Sequence, residues 1–311
     1  MTVERVEIIF NPTAGRSGGR ADDAQAMVRL LANRGIKAEA RPTSGPSDAT
    51  RLAHEAAERN ADVVVSYGGD GTINEVIQGI VGSQTALAVW AGGTANVVAR
   101  DLKMPRSIEL LAEVIAAGKT TRISLGVARQ EVKEGEVKGD AKVEGSPRQR
   151  YFLMFAGIGL DASVARRVNS KLKRRTGQFA FWVEGLKHIV SWKPEEFTVE
   201  VDGKEYSGVF ALIANGKGYG GGLCMAPEAN LEDPSLEVYV VPRRMANISY
   251  MFDLLACARG KTAQTDATIV RGRHIVANSS EEPWVELDGE VIGPLPMTFD
   301  VVPDALSLIV P

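Results

Sequence analysis

In the first third of the chain, short apolar runs alternate with stretches of helical periodicity. Val6–Phe10 is an apolar run ending in Asn11-Pro12, which predicts a strand followed by a turn. Ala21–Arg34 carries Met27, Leu30 and Leu31 at helical spacing, and Gly35 stands where a C-terminal cap belongs. Ile36–Ala40 alternates as a second strand, and Asp48–Arg59 is alanine-rich and helical. Asp62–Ser66 holds three consecutive valines and reads as a buried parallel strand. Thr72–Ile80 reads as a helix, Ala86–Trp90 as another buried strand, and Ile108–Ala117 as a helix capped by Gly118. Repeated β-loop-α units of this length predict a doubly wound parallel sheet with helices on both faces.

The pattern changes near Thr120. From there strands dominate: Arg122–Val127, Tyr151–Phe155, Thr198–Val201, Val209–Ala214, Leu236–Val241, Trp284–Leu287 and Thr298–Val302. Turn pairs such as Asp202-Gly203 and Asp288-Gly289 separate them, which predicts an antiparallel β-sandwich or barrel. The expected division is an α/β domain over residues 1–122 and a β-rich domain over 123–303. Residues 304–311 are candidates to return to the first domain. Arg129–Arg150 is almost wholly charged or small and reads as a solvated hairpin extension. Asp161–Val190 is helical and carries Arg166, Arg167, Lys171, Lys173, Arg174 and Arg175, with no acid between Asp161 and Glu184; Phe179, Phe181 and Trp182 follow the basic run.

Bulk properties narrow the function classes. The 311 residues, 44% hydrophobic, exceed the ~100–200 typical of one domain, so two are expected. A net charge of −3 provides no overall attraction to nucleic acid or to an anionic bilayer, so no nucleic-acid partner is expected and any membrane contact must be local. Two cysteines, Cys224 and Cys257, exclude a disulfide framework and point to a reducing cytoplasm. Three isolated histidines exclude a locally spaced zinc site. The start MTVERVEIIF lacks the features of a signal peptide. The uncharged stretch Ser83–Ala99 is interrupted at Gly92, Gly93, Thr94 and Asn96, so no membrane-spanning helix is expected.

The candidate chemistry lies at strand ends. Ser66-Tyr67-Gly68-Gly69-Asp70-Gly71-Thr72 follows a buried strand and opens a helix. Its glycines allow backbone approach to a phosphate, and the helix N-terminus favours an anion. Asp70 is an acid in a place suited to anions, which makes sense if it holds Mg²⁺ against phosphates. The plainer alternative is a tight turn with a capping Asp. Gly92-Gly93-Thr94-Ala95-Asn96 ends the next strand, and Asn11-Pro12-Thr13-Ala14-Gly15-Arg16 ends the first, so three such turns share one rim. Gly118-Lys119-Thr120 and Gly260-Lys261-Thr262 resemble the end of a P-loop but have Glu113 and Leu255 where its first glycine belongs. Gly157-Ile158-Gly159-Leu160-Asp161-Ala162 matches a dinucleotide fingerprint but lies outside a βαβ unit. Asp288-Gly289 reads as a hairpin turn ahead of Glu290.

As an ordered set, these residues resemble a known family. Phe10-Asn11-Pro12 with Gly15, Gly68-Gly69-Asp70-Gly71-Thr72 with Asn74-Glu75, and Gly93-Thr94-Ala95-Asn96 with Ala99-Arg100 are similar to the signature of the diacylglycerol kinase catalytic domain. The likeness continues through Gly157-Ile158-Gly159, Asn215, Gly220-Gly221-Gly222 and Pro227 to Asp288-Gly289-Glu290, Pro296 and Pro303. This soluble bacterial lipid kinase group also resembles sphingosine and ceramide kinases. The resemblance implies an N-terminal nucleotide domain, a C-terminal β-sandwich and an active site between them. It implies ATP bound by Asn11, Pro12, Gly15, Arg16, Thr43, Gly68, Gly69, Asp70, Gly71, Thr72, Gly93, Thr94 and Asn96. Asp70 then serves the Mg²⁺-phosphate, and Glu290 is the general base with Asp288 as a supporting acid.

Two positions depart from the family pattern. Val97 stands where many relatives have Asp, and Asp233-Pro234-Ser235-Leu236-Glu237 replaces a metal loop of the form Asp-Gly-x-Leu-Asp. Asp233 survives as a candidate ligand for a second Mg²⁺.

The expected activity is transfer of the ATP γ-phosphoryl group to a lipid hydroxyl, foremost that of diacylglycerol. The expected location is cytoplasmic, with transient docking on an anionic membrane through Arg166–Arg175; a homodimer is left open. Two alternatives stand beside it. One is a kinase of a soluble substrate, similar to NAD kinase, which shares the Gly-Gly-Asp-Gly-Thr turn. The other is a catalytically silent regulator, which Val97 suggests and intact Asp70 and Glu290 oppose.

Overall fold

The computed structural model describes residues 1–14, 19–93, 96–130, 149–160, 162–163, 192–218, 224–245 and 247–311. The charged stretch 131–148 and the basic run Arg166–Arg175 therefore lie outside the described residues, as do Gly15, Arg16, Thr94 and Gly220–Gly222.

The first half alternates as β1 (Arg5–Phe10), α1 (Arg20–Ala32), β2 (Lys37–Pro42), α2 (Asp48–Glu58), β3 (Val63–Gly68), α3 (Asp70–Ile80), β4 (Ala86–Ala91), α4 (Val97–Asp101) and α5 (Ile108–Ala117). The strands run parallel in the order β2-β1-β3-β4. All six residues of β3 are buried, which is the environment that its β-branched valines favour. Ser107 caps α5, its hydroxyl accepting from the Leu110 N–H, and Gly118 ends that helix in the left-handed region.

The second half adds β5 (Thr120–Gln130), β6 (Gln149–Phe152), β7 (Phe155–Gly159), β8 (Phe197–Val201), β9 (Lys204–Gly208), β10 (Phe210–Ala214), β11 (Leu236–Val241), α6 (Ile248–Ala258), β12 (Thr268–Gly272), β13 (His274–Asn278), β14 (Trp284–Leu287), β15 (Glu290–Pro294) and β16 (Met297–Ile309). Strands β12-β11-β10-β7-β14-β15 form an antiparallel sheet. Its inner face packs Ala211, Ile213, Val238 and Leu287 against Phe197, Ile275 and Phe299 of the first sheet, giving a β-sandwich. Its outer face packs Phe210, Leu212 and Tyr239 with Tyr250 and Cys257 of α6. β10 and β11 are thus covered on both faces, which accounts for their unbroken apolar runs.

One sheet passes through both halves, in the order β2-β1-β3-β4-β16-β13-β8-β9. The long strand β16 makes this possible. Its first residues pair with β13, its register shifts between Val302 and Leu306, and Leu308 then lies parallel to Leu87 of β4. β5 runs antiparallel beside β16 on both sides of that shift, from Met297↔Gln130 to Val302↔Leu125 and from Leu306↔Ile123 to Ile309↔Thr120. Among the described residues, parallel pairing stays within the first four strands and this contact of β16 with β4.

Candidate active site

Three turns meet at the C-terminal ends of β1, β3 and β4. The Asn11 N–H donates to Tyr67 O (3.1 Å), and the Gly92 N–H donates to Gly68 O (2.9 Å). The Asn11 side-chain oxygen accepts from both the N–H and the hydroxyl of Thr13 (2.9 Å each), fixing the turn through Pro12. Thr43, after β2, joins the same rim by donating its N–H to Phe10 O (2.9 Å). Gly93 packs so closely that a Cβ there would lie 2.6 Å from the Gly69 Cα. Only glycine leaves the two turns in contact. The Asn96 amide closes the third turn on itself, accepting from Gly93 N–H (2.7 Å) and donating to Gly93 O (2.9 Å).

Asp70 is the first residue of α3 and is half-buried. Its Oδ1 accepts from the Val98 N–H of α4 (3.4 Å), so the carboxylate sits between the second and third turns. A carboxylate beside a glycine cradle at a helix N-terminus is a suitable donor set for the Mg²⁺ of a nucleotide complex.

Two neighbouring side chains of α3 point in different directions. Glu75 accepts the Ser47 and Ala49 N–H groups (3.1 Å each) and so caps α2. Asn74 faces the second half. Its Nδ2 donates to Asp288 (2.9 Å) and to Tyr151 O (3.1 Å), and its Oδ1 accepts from Arg150 (3.3 and 3.2 Å). One turn further on, Gln78 donates to Tyr151 O (2.9 Å) and accepts the Tyr151 N–H (3.0 Å).

The β14–β15 hairpin brings the remaining carboxylates to this point. Asp288 and Gly289 have φ of 48° and 89°, the positive pair that a tight two-residue hairpin needs. Asp288 accepts from the N–H groups of Leu153 (2.8 Å), Met154 (2.9 Å) and Phe155 (3.1 Å) as well as from Asn74. These bonds divert the backbone of Leu153 and Met154 from the ladder, so the expected strand Tyr151–Phe155 is split into β6 and β7. Burial pushes the Asp288 carboxyl above its ordinary pKa, and the four donors oppose that rise.

Glu290 then lies against the start of α3. A Cβ placed on Gly71 would be 3.1 Å from its Oε1. Its side chain retains 39% exposure and is ion-paired with Arg150. Burial raises its pKa above the ordinary glutamate value; Glu75 and Asp288 push the same way, and Arg150 pulls it down.

Asn74, Gln78 and Arg150 escaped the reading of the sequence as functional side chains. Asn74 was visible only within a family signature. Arg150 looked like the end of a solvated hairpin, and no local spacing ties it to Glu290, 140 residues on. Asp233 lies before β11 and pairs with Arg271. Among the described residues no three His, Cys, Asp or Glu side chains form a metal cluster. No helix among them is long and apolar enough to cross a membrane.

Comparison with known proteins agrees with this layout. Residues 5–128 match the Diacylglycerol kinase catalytic domain family, and residues 155–310 match the YegS C-terminal NAD kinase beta sandwich-like domain. The chain is 31% identical to a diacylglycerol kinase of Bacillus subtilis (strain 168) over 303 residues, covering 96% of this chain and 93% of that protein. It is 28% identical to a diacylglycerol kinase of Staphylococcus aureus (strain MRSA252), covering 95% and 89%. A crystal structure of a diacylglycerol kinase from Bacillus anthracis str. Sterne shares the fold, with a TM-score of 0.77 at 24% identity, covering 100% of this chain and 98% of that one. The chain belongs to the diacylglycerol kinase family.

Proposed function

We propose that this protein transfers the γ-phosphoryl group of ATP to the hydroxyl of a membrane lipid, foremost diacylglycerol, giving phosphatidic acid. One observation carries the reading. The hairpin of the β-sandwich delivers Glu290, a carboxylate with a raised pKa, onto the glycine turn that opens α3. A nucleotide-type turn and a proton acceptor from opposite halves of the chain thus share one site.

Phosphoryl transfer requires in-line positioning and neutralisation of charge more than covalent chemistry. The backbone N–H groups of Gly69–Thr72, at the start of α3, bind the phosphates, and the turns at Asn11-Pro12 and Gly93–Asn96 wall the site on either side. Asp70 would hold the Mg²⁺ of the nucleotide complex, which when bound would supply neutralisation of phosphate charge. Glu290 accepts the proton of the attacking hydroxyl, and Arg150 aims its carboxylate. Asp288, bonded to four donors, fixes the hairpin and supports Glu290. The basic run Arg166–Arg175 docks the protein on an anionic bilayer, where each Lys or Arg contributes about 1 kcal/mol.

Incubation with labelled ATP, Mg²⁺ and a total lipid extract, with NAD⁺ as a parallel acceptor, tests the activity. Label in phosphatidic acid is expected. Label in NADP⁺ alone, or in neither, would overturn the lipid reading.

A further inference from the structure

Arg20 opens α1 and is 5% exposed. Its Nε donates to Ala14 O (2.6 Å), and its Nη2 donates to Gly92 O. Its guanidinium lies 4.8 Å from the centre of the Tyr67 ring. These partners belong to the turn after β1, the turn after β4 and the end of β3. The platform beneath is firm: Tyr67 stacks on Trp90 at 3.7 Å and donates its hydroxyl to Asp23 (2.6 Å).

Among the described residues Arg20 has no anionic partner: no carboxylate lies within ion-pair distance, and its Nη1 is closed to solvent with no hydrogen-bond partner. A buried cation is costly unless an opposite charge compensates it. Elsewhere in the first half, buried charge is matched: Glu7 faces both Arg59 and Arg41.

We propose that Arg20 is a positioning residue for the polyphosphate of the nucleotide. The proposal rests on reading the glycine turns as the nucleotide site. Arg20 latches the first turn to the third and places an uncompensated positive charge behind both. The closed Nη1 means that it acts through the backbone it holds and through its field, which the protein interior screens weakly. Gly92 provides an independent handle, because a Cβ there would collide with Nη1.

The test uses the full chain and calorimetric titration with MgATP and with Mg²⁺-tripolyphosphate, which has no base or sugar. Arg20→Met is expected to weaken both by about tenfold or more and to raise KM for ATP. KM for the lipid acceptor should stay unchanged. Arg20→Lys, which restores the charge and not the two-carbonyl latch, should recover part of the loss. Gly92→Ala, with Arg20 intact, should reproduce it, and the double variant should be no worse than either alone. Wild-type affinity for tripolyphosphate in folded Arg20→Met or in Gly92→Ala would overturn the proposal, as would an equal rise in both KM values. A wild-type chain that binds neither MgATP nor tripolyphosphate would instead remove the nucleotide reading beneath it.

Discussion

At the scale of single residues, the site is a contest over one carboxylate. Burial raises the Glu290 pKa and Arg150 lowers it. The base must be ionised to accept a proton, so activity should fall as pH drops through the Glu290 pKa, at a higher pH than for an exposed glutamate. Arg150→Met removes the cation that favours ionised Glu290. Its acid limb should therefore move to still higher pH in a pH–kcat profile, whereas an unmoved limb would separate Arg150 from the base. Asp70→Asn keeps the shape of the turn and removes the charge for Mg²⁺. Turnover should nearly vanish while the circular dichroism spectrum stays that of the folded chain; full turnover in this variant would exclude the metal-phosphate role.

At the scale of elements, helix α3 organises the site. Its first turn presents Asp70 and Gly71, Asn74 and Gln78 bind β6, and Glu75 caps α2. Glu75→Ala should lower stability by about 1 kcal/mol, the usual worth of a helix cap, in denaturant titration. An unchanged midpoint would leave the cap without energetic weight. The elements themselves were largely legible in the sequence. α5 begins and ends where its periodicity and Gly118 predict, and the valines of β3 mark a buried strand. α6 was not legible: ISYMFDLLACA has Asp253 as its lone charge, so no polar face reveals a helical period. The split between β6 and β7 was equally hidden, because its cause is a carboxylate from far along the chain, Asp288.

At the scale of the molecule, the two halves are joined by the β5–β16 ribbon, and one sheet continues through both. Local periodicity marks where strands lie and not which distant strand they meet, so the change of partner within β16 left no trace in the sequence. The glycine turns and Glu290 could be picked out as an ordered set of motifs. Their meeting depends on Asn74, Arg150 and Asp288, whose partners lie up to 214 residues away. The basic run adds a whole-molecule property. Arg174 and Arg175 replaced together by Glu should weaken partitioning onto anionic vesicles at low salt and leave ATP affinity intact. The difference should fade as salt rises, because exposed charges are screened over ~10 Å at 0.1 M. Unchanged partitioning at low salt would assign this segment to solvent.

The central claim is that the β-sandwich supplies the base and the α/β half supplies the nucleotide site. Glu290→Gln preserves the shape and removes the proton acceptor. Steady-state kinetics with diacylglycerol, combined with ATP titration of the folded variant, should show kcat reduced by ~10²–10⁴-fold and ATP affinity nearly unchanged. Wild-type kcat in Glu290→Gln, or a loss of ATP binding in its place, would contradict the account.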